Sequence, residues 1–160
     1  MTTSTKERIL NVAERLFAKQ GFPSTSLRDI TTEASVNLAS VNYHFGSKEA
    51  LLGALLDRRF RPMNELRLKF LDTLESDAAE TGKRIAVNDV VRAFLAPPFE
   101  QQTQGQLSRT FLRLVGRIHA ETNEQHRATF EGLFQDVRVR FTIALQNALP
   151  HLSERVVRQR

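Results

Sequence analysis

The sequence predicts an all-α chain. Apolar residues recur every three or four positions along nearly its whole length. No stretch alternates apolar and polar residues as a half-buried strand would. Helix-start and helix-stop residues, Ser26, Asn37 and Ser47 among the former and Gly21 and Pro150 among the latter, punctuate that pattern. The expected architecture is an N-terminal helix followed by a helix-turn-helix, then a long helix leading into a second helical domain.

Residues 5–20 place Ile9, Ala13, Leu16 and Phe17 on one helical face, with Lys6, Glu7, Glu14 and Lys19 elsewhere. Gly21 is the expected C-terminal stop. Thr25 or Ser26 can cap the next helix, Ser26 having capping-box spacing with Asp29, and that helix buries Leu27, Ile30 and Ala34. The turn Ser35-Val36-Asn37 directs Val36 inward and makes Asn37 an N-cap for a third helix at about 38–44. Ser47 caps a long helix whose apolar stripe runs Leu51, Leu52, Leu55, Leu56, Phe60, Met63, Leu66, Phe70 and Leu74. Pro62 inside it predicts a kink near residues 58–62. Residues 75–84 read as a polar loop. A helix at about 86–96 is expected to end at Pro97-Pro98, with a loop over 99–106. Two further helices are expected at about 107–121 and 123–148, with Pro150 ending the last. The tail 151–160 reads as a helix cut short, which predicts a truncated chain.

At 160 residues the chain fits one domain, or a small domain fused to a larger one. A net charge of +5 favours an anionic partner. With no cysteine, disulfides, thiolate metal sites and cysteine nucleophiles are excluded, and a reducing cytoplasm is the expected location. No apolar run approaches the ~18–20 residues that span a bilayer, and the N-terminus lacks a signal-peptide core. No glycine-rich phosphate loop or paired carboxylates stand out, so an enzyme is not expected and no cofactor is implied. His119 and His126 have helical spacing near Glu121 and Glu124, but solvated acids explain them as well, and no metal site is expected.

The helix at 38–44 has the form of a DNA-reading helix. Leu38, Val41 and Phe45 share a face that would pack on Leu27, Ile30 and Phe17. Ala39, Ser40, Tyr43 and His44 then point outward, with Asn42 on the flank. Small residues at the start permit close approach to base edges. Arg28, on the preceding helix, suits a bidentate guanine contact. Tyr43, His44 and Lys48 suit phosphate oxygens, and Thr25 and Ser26 at a helix N-terminus suit a second phosphate. Taken singly, Arg28 and Lys48 are ordinary surface charges and Tyr43 an ordinary packing residue. Their combination with two short helices and a turn carries the signal.

Residues 8–52 resemble the tetracycline-repressor (TetR) family of bacterial transcriptional regulators. The resemblance lies in Ile9-Leu10…Ala13…Leu16-Phe17, in Gly21-Phe22…Thr25-Ser26, and in Tyr43-His44-Phe45-Gly46-Ser47-Lys48-Glu49-Ala50-Leu51. It implies DNA contact by Thr25, Ser26, Arg28, Asn37, Leu38, Ala39, Ser40, Asn42, Tyr43, His44 and Lys48. It also implies a DNA-binding domain over 1–47, and an effector-binding and dimerisation domain over 48–160. The expected protein is a homodimeric repressor released from a pseudo-palindromic operator by a small hydrophobic ligand. Phe94, Phe99, Phe111, Leu114, Ile118, Phe130 and Phe134 are the expected pocket lining, with plain core as the alternative reading. Three positions depart from the family pattern. Ser35 stands where Gly is usual, so a left-handed turn conformation is expected there. Thr31 stands where Ala is usual. Val41-Asn42 before Tyr43 resembles a branch in which some members respond to fatty-acid or acyl-type ligands. The alternative to this reading is a helical protein-interaction module, or a truncated regulator, without DNA-binding activity.

Overall fold

A computed structural model describes residues 4–103, 108–120 and 124–150. Its elements are α1 (Thr5–Gln20), α2 (Leu27–Ala34), α3 (Leu38–Phe45), α4 (Lys48–Thr81), α5 (Val87–Thr103), α6 (Arg109–Ala120), α7 (Glu124–Leu133) and α8 (Gln135–Ala148). Among the described residues there is no strand, and no helix is long and apolar enough to cross a membrane. The first three helices lie where capping and periodicity place them. The later boundaries differ. α4 continues through most of the expected loop at 75–84. α5 passes through Pro97 and Pro98 and covers residues 99–103 as helix. The helix expected over 123–148 is interrupted at Phe134, whose φ of −109° and ψ of 4° lie off the helical values. The expected tail helix lies outside the described residues.

The chain packs as two units. One comprises Met1–Arg59 with Leu107–Thr129, the other Phe60–Gln106 with Phe130–Arg160. These packing units are a different partition from the functional division expected at residue 47.

In the first unit, α1 supplies Ile9, Leu10, Ala13 and Phe17 to a core shared with Ile30 and Val41 of the next two helices. Leu51, Leu52, Leu55 and Leu56 of α4 are also fully buried, as are Phe111 and Leu114 of α6. Glu14 joins them at 4% exposure. Its burial is tolerated because cations surround it. Arg59 donates from Nε at 3.0 Å and Nη2 at 2.8 Å. Arg58 donates from Nη2 at 3.0 Å, while its Nη1 reaches Glu7 at 2.8 Å and Asn11 at 2.9 Å. Ser108 donates to Glu14 at 3.3 Å. One carboxylate thereby ties α1, α4 and the start of α6.

The second unit is built on Leu71, Val90, Ala93, Val137, Phe141 and Ala144, from α4, α5 and α8. Phe60 sits edge-on to Phe130 and Phe134, with centroids at 5.6 and 5.0 Å. Two buried polar residues of α4 explain the irregular stretches opposite them. Proline has no N–H, so Pro98 cannot donate to the carbonyl of Phe94 one turn back. Arg67 Nε donates to that carbonyl instead, at 2.9 Å. Where α7 ends, the carbonyl of Leu133 loses its helical donor, and Asn64 Nδ2 supplies one at 2.8 Å. α5 therefore runs on where sequence signals alone say stop, and α7 stops where they say run on.

Replacing the buried carboxylate should be costly. Glu14→Gln leaves two guanidinium groups facing a neutral amide. The loss expected in urea denaturation is about 2 kcal/mol, below the ~3–5 kcal/mol of fully buried pairs because both arginines are partly solvated. A change under ~0.5 kcal/mol would show that the cluster does not hold α1 to α4.

Candidate nucleic-acid interface

The turn between α2 and α3 sets the direction of α3. Ser35 adopts φ 52° and ψ 49°, the left-handed region. That conformation lets the N–H of Val36 reach the carbonyl of Thr31 at 3.0 Å, closing α2. Asn37 then caps α3: its Oδ1 accepts from the Ser40 N–H at 2.8 Å and from the Ser40 hydroxyl at 2.9 Å. At the other end Gly46, at φ 80°, donates its N–H to the carbonyl of Asn42 at 3.0 Å. Ser47 Oγ accepts from the N–H of Ala50 at 3.0 Å, starting α4.

Between those caps α3 buries only Val41 completely, while Ser40 and Phe45 are half-buried. Ala39, Asn42, Tyr43 and His44 are exposed, Tyr43 at 85%. The Tyr43 ring stands edge-on to His44, with centroids 5.1 Å apart. Leu38 is 50% exposed rather than packed inward, so it stands on the outward side with the contact candidates.

The flanking candidates divide. Arg28 is exposed on α2. Ser26 is also exposed, but its hydroxyl is engaged in the capping box: it accepts from the Asp29 N–H at 3.1 Å and donates to the Asp29 carboxylate at 2.7 Å. The Ser26 backbone N–H completes the box at 2.8 Å. The Ser26 hydroxyl and N–H, with a smaller contribution from Lys48, hold the Asp29 carboxyl below its usual range. Thr25 is 1% exposed and donates its hydroxyl to the carbonyl of Gly21 at 2.8 Å. It is a local clamp, and its side chain is not on the surface. Lys48 is half-buried, its Nζ 4.2 Å from the centroid of the Phe22 ring. The ring fixes where that cation stands. Thr31 is buried and donates to the carbonyl of Arg28 at 3.0 Å, so the hydroxyl in place of a methyl has an acceptor.

The seven expected pocket residues fall in both packing units. Phe111, Leu114 and Ile118 are buried in the first unit on α6, which lies along α1. Phe94, Phe130 and Phe134 belong to the second unit, and Phe99 is 65% exposed on α5. A cleft of about 420 Å³ in the second unit lies between α4 and α5, among Lys69, Phe70, Leu74, Arg92 and Ala93. None of the seven lines it. No group of potential metal ligands occurs among the described residues. The side chain of His126 lies outside them.

Sequence reasoning missed Asn64 and Arg67. Their signal was present: with Phe60, Met63 and Leu71 they occupy one helical stripe, where an arginine has no place unless it is bound to something.

The turn supplies two tests. Ser35→Gly removes the strain of a left-handed serine and should stabilise the protein by about 0.5–1 kcal/mol in urea denaturation; destabilisation would mean the turn is not strained. The lowered carboxyl of Asp29 gives a signed pH effect. Its capping contribution is fully present above the unfolded carboxyl range and is lost as pH falls through the lower folded value. The Tm difference between wild type and Asp29→Asn should therefore shrink on acidification from neutral pH to about pH 2. A constant difference would refute the capping role of the ionised carboxylate.

Residues 9–55 match a family model described as bacterial regulatory proteins, tetR family. Residues 92–160 match one described as a tetracyclin repressor-like C-terminal domain. The probable HTH-type transcriptional regulator YttP of Bacillus subtilis is 29% identical over 115 residues, 72% of this chain and 52% of YttP. The uncharacterized HTH-type transcriptional regulator YerO of the same organism is 47% identical over 47 residues, 29% of this chain and 16% of YerO. The chain thus spans about half the length of YttP. A transcriptional regulator structure from Aquifex aeolicus superposes with a TM-score of 0.63 at 22% identity, covering 97% of this chain and 79% of that one. That likeness is one of fold. Matched at both ends by models of one family, the chain belongs to the tetR family of bacterial regulatory proteins.

Proposed function

We propose that this protein is a DNA-binding transcriptional repressor that reads a pseudo-palindromic operator as a homodimer and is released by a small hydrophobic ligand. The observation that carries the reading is the outward face of α3. Ala39, Asn42, Tyr43 and His44 are solvent-exposed on a helix capped at both ends. A capped, exposed helix after a tight turn is what entry into a major groove requires.

In that groove the Ala39 methyl suits a thymine methyl, and Asn42 suits an adenine edge. Leu38 adds apolar contact at the helix start. Tyr43 and His44 donate to phosphate oxygens, and Lys48 supplies a cation pre-positioned on Phe22. Asn37 and Ser40 act first on each other, so their role is to hold the start of α3. Thr25 likewise positions rather than touches, and Ser26 offers its exposed edge to a phosphate. Arg28 reaches a guanine from the flank. In functional terms residues 1–47 form the reading head, and 48–160 serve effector binding and dimerisation. Val139 and Ile143, four apart on α8 and about half exposed, are apolar surface suited to a second copy. A ligand that prefers one position of α4 would change the spacing of the two heads and so shift the population away from DNA.

Selection of bound duplexes from a random pool tests this reading, and it should recover an inverted repeat. On the selected duplex, Lys48→Ala should weaken binding to all sequences and lower the log–log salt slope by about 1. Arg28→Ala should cost about 1–3 kcal/mol and relax discrimination at one base pair of each half-site. No enrichment from the pool would contradict a DNA-binding role. Equal losses on selected and random DNA for Arg28→Ala would remove its base-reading role.

A further inference from the structure

The second unit buries a positive charge that no carboxylate offsets among the described residues. Arg67 is 6% exposed. An arginine side chain stays protonated in proteins, so its charge persists there. Among the described residues no carboxylate pairs with it. Arg140 of the same unit shows the ordinary arrangement: it is more exposed, and it reaches Asp72 and Glu75 at 2.7 Å each. Burial is what lowers the pKa of Arg67, with no charge opposing it.

The contacts of Arg67 define what is missing. Nε donates to the carbonyl of Phe94 at 2.9 Å, and Nη1 donates once to Asn64 Oδ1 at 2.9 Å. A guanidinium carries five N–H donors. The second Nη1 proton and both Nη2 protons have no acceptor among the described residues. Asn64 is itself 8% exposed and is held by Leu133, so the acceptor it presents is fixed. Aromatic rings border the group. The guanidinium carbon lies 4.5 Å from the Phe94 centroid and 5.8 Å from that of Phe134, which in turn packs on Phe60. Satisfying the Phe94 carbonyl alone would need only a neutral donor. Desolvating a full charge for that purpose costs several kcal/mol.

We propose that Arg67 is the anion anchor of an effector site, and that its ligand is a small organic acid. The carboxylate pairs with the free edge of the guanidinium, and an apolar or aromatic body lies against Phe94 and Phe134. As the effector class of the regulator described above, the inference rests on that reading. The anion site itself is tested separately from DNA binding.

The test uses the full chain and three matched pairs of probes: acetate and acetamide, benzoate and benzamide, octanoate and octanamide. Thermal unfolding is followed with each. At tenfold over Kd, benzoate or octanoate should raise Tm by about 3–5 °C, and its amide should not. Acetate, lacking the apolar body, should do little. Arg67→Gln keeps a donor for the Phe94 carbonyl but removes the charge, and it should abolish the difference between acid and amide. Arg67→Lys should retain part of it. The proposal is overturned if no acid stabilises wild type more than its amide, a result that needs no variant to fold. It is equally overturned if Arg67→Gln keeps the full acid-specific rise. Salt-sensitive DNA binding, measured in parallel, separates the two readings. Its persistence without acid preference removes the anion site alone, and its absence beside acid preference removes the repressor reading alone.

Discussion

An eight-residue helix cannot hold itself, and everything on the proposed DNA side of this protein answers to that constraint. Nucleating a helix fixes several dihedrals for one hydrogen bond, so a helix of this length is unstable alone. α3 also has little apolar surface to spend, since Val41 is its only fully buried residue. Its stability is borrowed. Asn37 satisfies donors at its start, Gly46 closes its end, and the left-handed Ser35 aims it. Beneath it, α1 and α2 present a core that is itself tied to α4 through Glu14. The borrowing has a purpose: a helix stabilised from its ends and by one valine can leave its whole outer face to a partner.

The same logic decides what could be read in the sequence. Caps are local. Ser26 with Asp29, Asn37 with Ser40, and Ser47 with Ala50 each act within three residues, so the bounds of α1, α2 and α3 were legible, as was the left-handed Ser35. The outward set on α3 followed from periodicity, except that Leu38 is half exposed because it precedes the turn of helix that packs. Thr25 was misplaced for a related reason: its hydroxyl finds an acceptor four residues back, which draws it inward. Beyond α4 the deciding partners are distant in sequence. Glu14 is buried because of arginines 44 and 45 positions away. α5 survives two prolines partly because Arg67, 27 positions from Phe94, supplies a lost donor. The break at Phe134 is met by Asn64, 69 positions from Leu133. No window on the sequence contains such pairs.

α4 is the element on which both halves of the account meet. It gives Arg58 and Arg59 to the Glu14 cluster, and two turns later it gives Asn64 and Arg67 to the second unit. Pro62 falls between these two sets of anchors, at a point where one backbone hydrogen bond is absent by chemistry. Both sets anchor through side-chain hydrogen bonds, although Arg58 Nε is buried without a partner among the described residues.

The central claim is that the exposed face of α3 meets duplex DNA, and Tyr43 allows it to be tested at one residue. It is the sole tyrosine of the chain and is 85% exposed. Nitration by tetranitromethane, followed by intact mass, therefore reports on that position alone. With a saturating selected duplex at low salt, the account predicts that Tyr43 is strongly protected, and that protection is lost as salt releases the DNA. Nitration at the free-protein rate while the duplex remains bound would place the contact elsewhere and contradict the account.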